Sequence, residues 1–345
     1  MSTIDVPRVA FVGSGGVEID SVAVSDPLPN QIRVRTTQSL ISAGSERNSF
    51  ESSDTERRSP GYSSAGVVDA VGRQVLGYRE GDRVYATAPH QGAHLVEVDS
   101  PRVVDRKEHY PPPKVPDKVT DVQATFLSLC DVALHGVRRG CPYIGDSVAV
   151  FGQGIVGQLV TQFARMVNPH PLISIDLVDE RLELAWRSGA THTVNAGRED
   201  AVERVIELTG GEGARVVFMV TRTPAILPDC MRATAAGGTV TLTGSPPGAV
   251  EVRLQQELLR KELTITGTYQ TRLYPLIAYH MQRWTRPANR AYIYELMGRG
   301  GLAVDHLVSH HVPYTEAQDM YAMIARGPAG WTGIVLDWTE SLDSP

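Results

Sequence analysis

Along this 345-residue chain the spacing of apolar and polar positions changes rhythm once, near residue 147. Before that point, short runs alternate with a period of two: Arg8-Val-Ala-Phe-Val12, Ile32-Arg-Val-Arg35, Gly66-Val-Val-Asp-Ala-Val71, Arg83-Val-Tyr-Ala86 and His94-Leu-Val-Glu-Val98. Clusters such as Asp26-Pro-Leu-Pro-Asn30 and Glu80-Gly-Asp82 separate them, so residues 1–100 read as a β-rich barrel or twisted sheet. The polar stretch from Asn48 to Pro60 reads as a loop or short exposed helix. Pro111-Pro-Pro-Lys-Val-Pro116 is a stiff extended connector. Val122, Phe126, Leu129, Val132, Ala133 and Val137 recur at helical spacing and predict one helix over 121–139.

After 147 the pattern alternates between strand and helix. Strands are expected at 148–151, 172–176, 216–220, 239–243 and 263–267, with helices at 156–166, 179–188, 199–209, 224–235 and 252–260. That alternation predicts a parallel sheet with helices on both faces. A further helix is expected within 274–300. Strand, helix and strand patterns then resume over 306–312, 314–325 and 333–338.

The first of the later strands, Val148-Ala-Val-Phe151, runs into Gly152-Gln-Gly-Ile-Val-Gly157 and then an apolar helical pattern. This is G-x-G-x-x-G between strand and helix. The first glycine allows the tight turn, the second a close approach of pyrophosphate, and the third the packing of helix on strand. The second strand ends in Asp176, 19 residues beyond Gly157. A carboxylate there accepts hydrogen bonds from a ribose 2′-hydroxyl and repels a 2′-phosphate, so the spacing predicts an NAD site, with NADP disfavoured.

Bulk properties narrow the setting. The chain is 42% apolar and 21% charged, with a formal net charge of −6, which argues against a nucleic-acid partner. No apolar run approaches the ~18 residues of a membrane span, and Met1 to Asp5 shows no secretory signal pattern. The three scattered cysteines, Cys130, Cys141 and Cys230, suit free thiols in a reducing, cytoplasmic setting.

The order of these motifs resembles the medium-chain dehydrogenase/reductase superfamily, the alcohol dehydrogenase-like proteins, over nearly the whole chain. The resemblance rests on Gly61-Tyr-Ser-Ser-Ala-Gly-Val-Val68, Gly81-Asp-Arg-Val84, the dinucleotide turn, Asp176 with Arg181-Leu-Glu-Leu-Ala185, Gly237-Gly-Thr-Val-Thr-Leu-Thr-Gly244 and Ile265-Thr-Gly267. It implies a Rossmann-type doubly wound sheet over 121–304 and a mostly β GroES-like catalytic domain over 1–120 and 305–345. It also implies cofactor contacts from Gly152, Gln153, Gly154, Ile155, Val156, Gly157, Asp176, Arg181, Thr221, Gly244 and Thr268. In such proteins cofactor and small-molecule substrate meet in the cleft between the domains. Relatives form a homodimer or a dimer of dimers by extending the nucleotide-domain sheet. Leu263–Thr268 and the apolar Leu273–Met281 are the candidate material for that.

Where zinc-using relatives place three metal ligands, this chain has Ala43, Tyr62 with Ser63, and a position near Ser128. Zinc takes thiolate, imidazole or carboxylate, and residues 88–120 lack the cysteines of a structural zinc lobe, so no zinc is expected at either place. Proton transfer then falls to organic groups. Ser45 matches the hydroxyl residue that binds the substrate oxygen. Glu46 is either a general base or a structural acid paired with an arginine. Tyr62 either contacts substrate or fills the vacated place, and Ser42 and Ser63 complete the polar set of pocket candidates. Asp131 and His135, four apart on one helix face, are weaker catalytic candidates against a packing role. Tyr269 is read as pocket lining or core. Thr332 stands where many relatives place a basic residue near the pyrophosphate, with Arg47 a possible substitute.

The leading expectation is a zinc-independent, NAD-dependent oxidoreductase of secondary alcohol and ketone, on a polyol, cyclitol or sugar-like intermediate. Two alternatives remain open: an NAD(P)H-dependent reductase of an activated carbon–carbon double bond, and a non-catalytic dinucleotide-binding protein.

Overall fold

The computed structural model describes residues 2–13, 15–51, 57–98, 102–104, 107–109, 111–269 and 284–342. The chain forms two compact units, residues 1–128 with 274–345, and residues 129–273. The sequence reading drew these boundaries at 120/121 and 304/305; residues 284–304 cluster with the first unit.

The first unit opens with the hairpin β1 (Thr3–Phe11) and β2 (Val17–Ser25), paired along nine positions. β2 is absent from the sequence reading. It keeps only Val24 buried, so its alternation carries little apolar contrast. β3 (Gln31–Ile41) is the organising strand, because Ile32–Ser39 pair with β4 (Ser64–Val71) on one flank and Gln31–Arg35 pair with β6 (Ala93–Glu97) on the other. Nine of its eleven residues are buried and the other two half-buried; Ile32, Val34, Leu40 and Ile41 are core. β5 (Arg83–Ala86) extends the sheet beyond β4, and β7 (Arg102–Val104) pairs with β8 (Lys107–His109).

Helix α1 (Ala43–Phe50) follows β3 directly and takes in Ala43 to Glu46 as well as the start of the polar stretch. The predicted helix over 121–139 is two helices, α2 (Asp121–Thr125) and α3 (Leu127–Gly140). Thr120 and Gln123 form a reciprocal capping box at the start of α2, and Phe126 closes a tight turn by donating its N–H to the Gln123 carbonyl. A single tight turn scarcely shifts the apolar phase, which is why the periodicity runs through it unmarked.

The second unit is a six-stranded parallel sheet in which β9 (Val148–Phe151) is followed by α4 (Ile155–Arg165), β10 (Leu172–Asp176), α5 (Asp179–Ser188) and β11 (His192–Asn195). Then come α6 (Ala201–Leu208), β12 (Ala214–Met219), α7 (Leu227–Ala233), β13 (Thr234–Leu242) and β14 (Thr264–Gly267). Strand order is β11-β10-β9-β12-β13-β14. The chain leaves β9 first to one side and then to the other, so the order reverses beside β9, the arrangement of a doubly wound nucleotide fold. β11, with only Val194 fully buried, was too short and polar to stand out in the sequence. The stretch read as a helix over 252–260 is a π-helical segment, Leu254–Leu259.

The first unit closes with α8 (Arg286–Gly298), β15 (Val308–Pro313), α9 (Ala317–Arg326) and β16 (Gly333–Asp337). β16 lies antiparallel to β3 and parallel to β15, which returns the C-terminus to the β-rich unit. Phe11, Phe50 and Tyr321 pack together in that core, Phe50 stacked on Tyr321 and Phe11 edge-on to the Tyr321 ring. The segment Leu273–Met281 lies outside the described residues. No helix among the described residues is long and apolar enough to cross a membrane.

Candidate functional site

In the second unit the registers align Ile175, Phe151, Met219, Leu242 and Gly267 along one carboxyl edge of the sheet. The residues that the sequence assigned to a cofactor come together there. Gly152 has φ +97°, a conformation that favours glycine, and a Cβ on it would meet the Thr221 N at 3.2 Å. A Cβ on Gly157 would lie 1.9 Å from the Gly152 carbonyl oxygen, so no other residue fits the crossing of helix and strand. A Cβ on Gly154 would instead meet only the Arg181 Nη1, at 4.0 Å. Gly154 is also the N-cap of α4 and offers no capping side chain. The helix start therefore faces open space with its N–H groups available, which is the cradle a pyrophosphate needs.

Asp176 ends β10 half-buried. Its Oδ2 accepts the Gln153 N–H at 2.6 Å, and its Oδ1 accepts those of Leu177 (2.8 Å) and Val178 (3.0 Å). These bonds fix the carboxylate beside the glycine turn. Arg181 is 9% exposed, and burial lowers its guanidinium from its ordinary value while Asp176 opposes that shift. Gln158 ties α4 to α5 by donating to the Arg181 carbonyl at 2.8 Å. Gly244 packs on the Thr221 carbonyl, and a Cβ there would approach to 2.5 Å. The Thr268 hydroxyl donates to the Leu242 carbonyl at 3.1 Å, so it serves the backbone of the strand end. Tyr269, next in sequence, is 58% exposed, against the core reading. The residues of this edge fit a dinucleotide: glycines that leave a space, a helix start aimed into it, and one carboxylate at the ribose distance along the chain.

Asp131 and His135 lie on α3. Both are buried, at 0% and 4% exposure, and burial followed by the charges of Arg139 and Arg138 lowers the imidazole to about 4. A histidine held neutral and enclosed in this way fits the packing reading. The neighbouring Gly136 and Gly140 press α3 onto Thr243 and Phe218.

In the first unit, Ser42, Ser45 and Tyr62 bring three hydroxyls together at the start of α1. The Tyr62 hydroxyl is in a short hydrogen bond with the Ser42 Oγ and lies 3.4 Å from the Ser45 Oγ. Burial raises the phenol above its ordinary value, partly offset by the two serine hydrogen bonds. Ser45 is exposed and Ser42 buried, so the cluster runs from solvent inward.

Glu46 points the other way. It is 5% exposed; its Oε1 accepts the Ser42 N–H at 2.8 Å, and its Oε2 takes the Tyr321 hydroxyl and the His90 Nε2 at 3.2 Å. The His90 Nδ1 meets the Ser39 Oγ at 2.8 Å, and that oxygen also accepts the Trp338 Nε1–H at 2.8 Å. These partners fit the structural reading of Glu46, with His90 and Tyr321 in place of the arginine the resemblance implied. Arg47 binds Glu51 at 2.7 Å and the Ala325 carbonyl at 3.3 Å. Thr332 is buried at the entry to β16. Sequence reasoning missed His90. Gly61 is packed against it, since a Cβ there would come within 2.8 Å of the imidazole, but nothing in the spacing of 61 and 90 reveals that contact.

The positions that hold zinc in metal-using relatives do not fit that ion. Ala43 has no donor, the Tyr62 hydroxyl is bonded to Ser42, the Ser63 Oγ lies 3.3 Å from the Tyr85 hydroxyl, and Ser128 is a buried hydroxyl on α3. Among the described residues, no group of three or more His, Cys, Asp or Glu side chains converges to hold a metal.

A family model described as zinc-binding dehydrogenase matches residues 156–281. An alcohol dehydrogenase of Cupriavidus necator is 27% identical over 285 residues, covering 70% of this chain and 77% of that protein. An L-threonine 3-dehydrogenase of Anaeromyxobacter sp. is 26% identical, covering 90% and 92%. Two solved structures share the fold: a short chain alcohol dehydrogenase from E. coli CFT073 complexed with NADH (TM-score 0.81, 20% identity, 96% of this chain and 99% of that one), and a proposed zinc-binding dehydrogenase from Sinorhizobium meliloti 1021 bound to NADP (TM-score 0.80, 20%, 97% and 99%).

Proposed function

The chain belongs to the medium-chain dehydrogenase/reductase superfamily, and from that premise we propose that it is a zinc-independent, NAD-preferring oxidoreductase interconverting a secondary alcohol and a ketone. The observation that carries the reading is the Asp176 carboxylate, fixed beside the glycine turn by the Gln153 N–H at 2.6 Å. A 2′-phosphate brought to that edge meets a negative charge with no cation at 177–179 to offset it, whereas a 2′-hydroxyl finds an acceptor. Structural neighbours that carry NADH and NADP support a nicotinamide cofactor, and relatives named alcohol and L-threonine 3-dehydrogenase support an alcohol as substrate.

When bound, the nicotinamide supplies hydride exchange at carbon. The protein's part is orientation and the proton. α4 presents its N–H groups to the pyrophosphate through the space left at Gly154. Tyr62, with its phenol raised by burial, keeps its proton at neutral pH and donates it to a carbonyl oxygen as charge develops there. Ser42 orients the phenol, and exposed Ser45 connects it to solvent for reprotonation. Hydroxyls in this number suit a polyol, cyclitol or sugar-like substrate. A homodimer or dimer of dimers and a cytoplasmic setting belong to the same proposal.

Two measurements test it. Titrating NADH and NADPH against the protein's own fluorescence should show tighter NADH binding; a clear preference for NADPH would favour the double-bond reductase. Screening polyols and cyclitols with NAD⁺ at the reduced-nicotinamide absorbance should reveal turnover. Tyr62→Phe should lower that turnover by about 10²–10⁴-fold. Tight NAD binding without any turnover would favour the non-catalytic reading.

A further inference from the structure

A serine at the start of a helix ordinarily turns its hydroxyl back to accept an N–H of the first turn. Ser42, the N-cap of α1, makes no such bond. Its hydroxyl goes to Tyr62 instead. The helix start is held from the other side, where Glu46, one turn on, accepts the Ser42 N–H at 2.8 Å. α1 has thus exchanged a serine cap for a carboxylate brace, and the exchange releases Ser42 toward the phenol.

The brace has fastenings of its own. Burial, and after it the charge of Glu46, raise the Tyr321 phenol well above its ordinary value, so it stays protonated and donates to Glu46. His90 is fully buried, with Nε2 3.2 Å from the Glu46 Oε2 and Nδ1 2.8 Å from the Ser39 Oγ. The Ser39 oxygen already accepts the Trp338 Nε1–H at 2.8 Å, which leaves its own proton for Nδ1. The imidazole then carries its one proton on Nε2 and gives it to Glu46. In this arrangement each polar group from Trp338 to Glu46 has a partner.

His90 also fastens the segment that brings Tyr62. Its N–H donates to the Pro60 carbonyl at 2.8 Å, two residues before Tyr62, and its carbonyl accepts the Val9 N–H at 3.0 Å. The ring therefore holds one side of the Tyr62–Ser42 contact and the backbone holds the other.

We propose that His90 is a positioning residue for Tyr62: its ring places Ser42 through Glu46, its backbone places the Tyr62 segment, and together they set the contact between the two hydroxyls. The inference rests on the reading of Tyr62 as proton donor and adds the device that aims it. Fully buried, His90 acts only through these partners.

The test is carbon-13 NMR of the full chain labelled at the tyrosine Cζ, with the Tyr62 line identified by its loss in Tyr62→Phe. Two variants separate the nitrogens of the ring. A glutamine amide reaches the place of Nε2 and still donates to Glu46, whereas an asparagine amide reaches only the place of Nδ1 and keeps Ser39. His90→Gln should leave the Tyr62 line in place. His90→Asn should move it, as Ser42 turns back to cap α1. In turnover, His90→Asn should lower kcat by about tenfold with KM within about twofold. It should lower kcat no further in a Ser42→Ala background. A residue needed only for packing would give both variants similar losses and would add to Ser42→Ala. Tyr321→Phe keeps the ring stacked on Phe50 and withdraws only the hydroxyl from Glu46. It should move the Tyr62 line as His90→Asn does, and it decides the point if His90→Asn does not fold. An unmoved line in these two variants, equal displacement by His90→Gln and His90→Asn, or an additive loss with Ser42→Ala would each overturn the proposal. Normal turnover in Tyr62→Phe would instead overturn the proton-donor reading, because the line is read without turnover.

Discussion

The two candidate regions are built from different material. The nucleotide edge of the second unit is made of backbone: three glycines, a helix start, and a carboxylate held by three N–H groups. The hydroxyl cluster of the first unit is made of side chains. Its support draws on Ser39, Ser42, Glu46, Tyr62, His90, Tyr321 and Trp338, drawn from five separate stretches of the chain. A site of the first kind tolerates almost any side chain outside its glycines and breaks at once within them. One of the second kind depends on each buried partner finding the others.

The sharpest way to break the comparison is Gly157→Ala. Its Cβ would stand 1.9 Å from the Gly152 oxygen, and both are backbone-fixed. Strand and helix must move apart, so we expect a loss of about 3 kcal/mol in unfolding free energy and at least about 100-fold in NADH affinity. Urea unfolding and fluorescence titration read the two effects. Near-native affinity for NADH would show that the turn is not the cradle.

Next in size is Glu46→Gln. The amide accepts the Ser42 N–H but cannot accept from both Tyr321 and His90. A buried, half-satisfied network of this kind loses about 2–3 kcal/mol. Urea unfolding should show the loss with NADH affinity unchanged, because the second unit keeps its own edge. A change under about 0.5 kcal/mol would mean that the network does not support α1.

This contrast also explains what the sequence made legible. The glycine turn, Asp176 and the alternation of strand and helix were readable because each rests on neighbours within some twenty residues. Ser42, Ser45 and Tyr62 could be nominated only because a resemblance marked the positions. His90 could not be nominated at all, since its partners Ser39 and Glu46 lie 51 and 44 residues away. Strands β2 and β11 escaped for a related reason: their place comes from pairing with β1 and β10, and their own apolar contrast is slight. The break at Phe126 shows the reverse limit, in which a continuous period hides a change of helix.

A smaller effect sharpens the cofactor side. Asp176→Asn keeps the shape and one acceptor oxygen at the turn but removes the charge. The ratio of NADPH to NADH affinity should rise by about tenfold, from relief of repulsion and a weaker ribose contact together. Paired fluorescence titrations check it. An unchanged ratio would place the discrimination elsewhere on the edge.

The smallest expected effect sets the units side by side through one buried histidine in each. His94 on β6 and His135 on α3 are both lowered to about 4, His94 by burial and His135 by burial followed by Arg139 and Arg138. Both folded values lie below the ordinary histidine value of 6.5. The unfolded chain therefore takes up protons first as pH falls. The stability each neutral imidazole contributes is intact above about 6.5 and is lost progressively toward 4. Between about pH 7 and 5.5 each histidine should remove about 1 kcal/mol, measurable as a falling urea midpoint. His94→Gln and His135→Gln should each flatten that acid-side slope by a similar amount. A slope unchanged in one variant would show that its imidazole is not held neutral, and would identify which unit gives way first in acid.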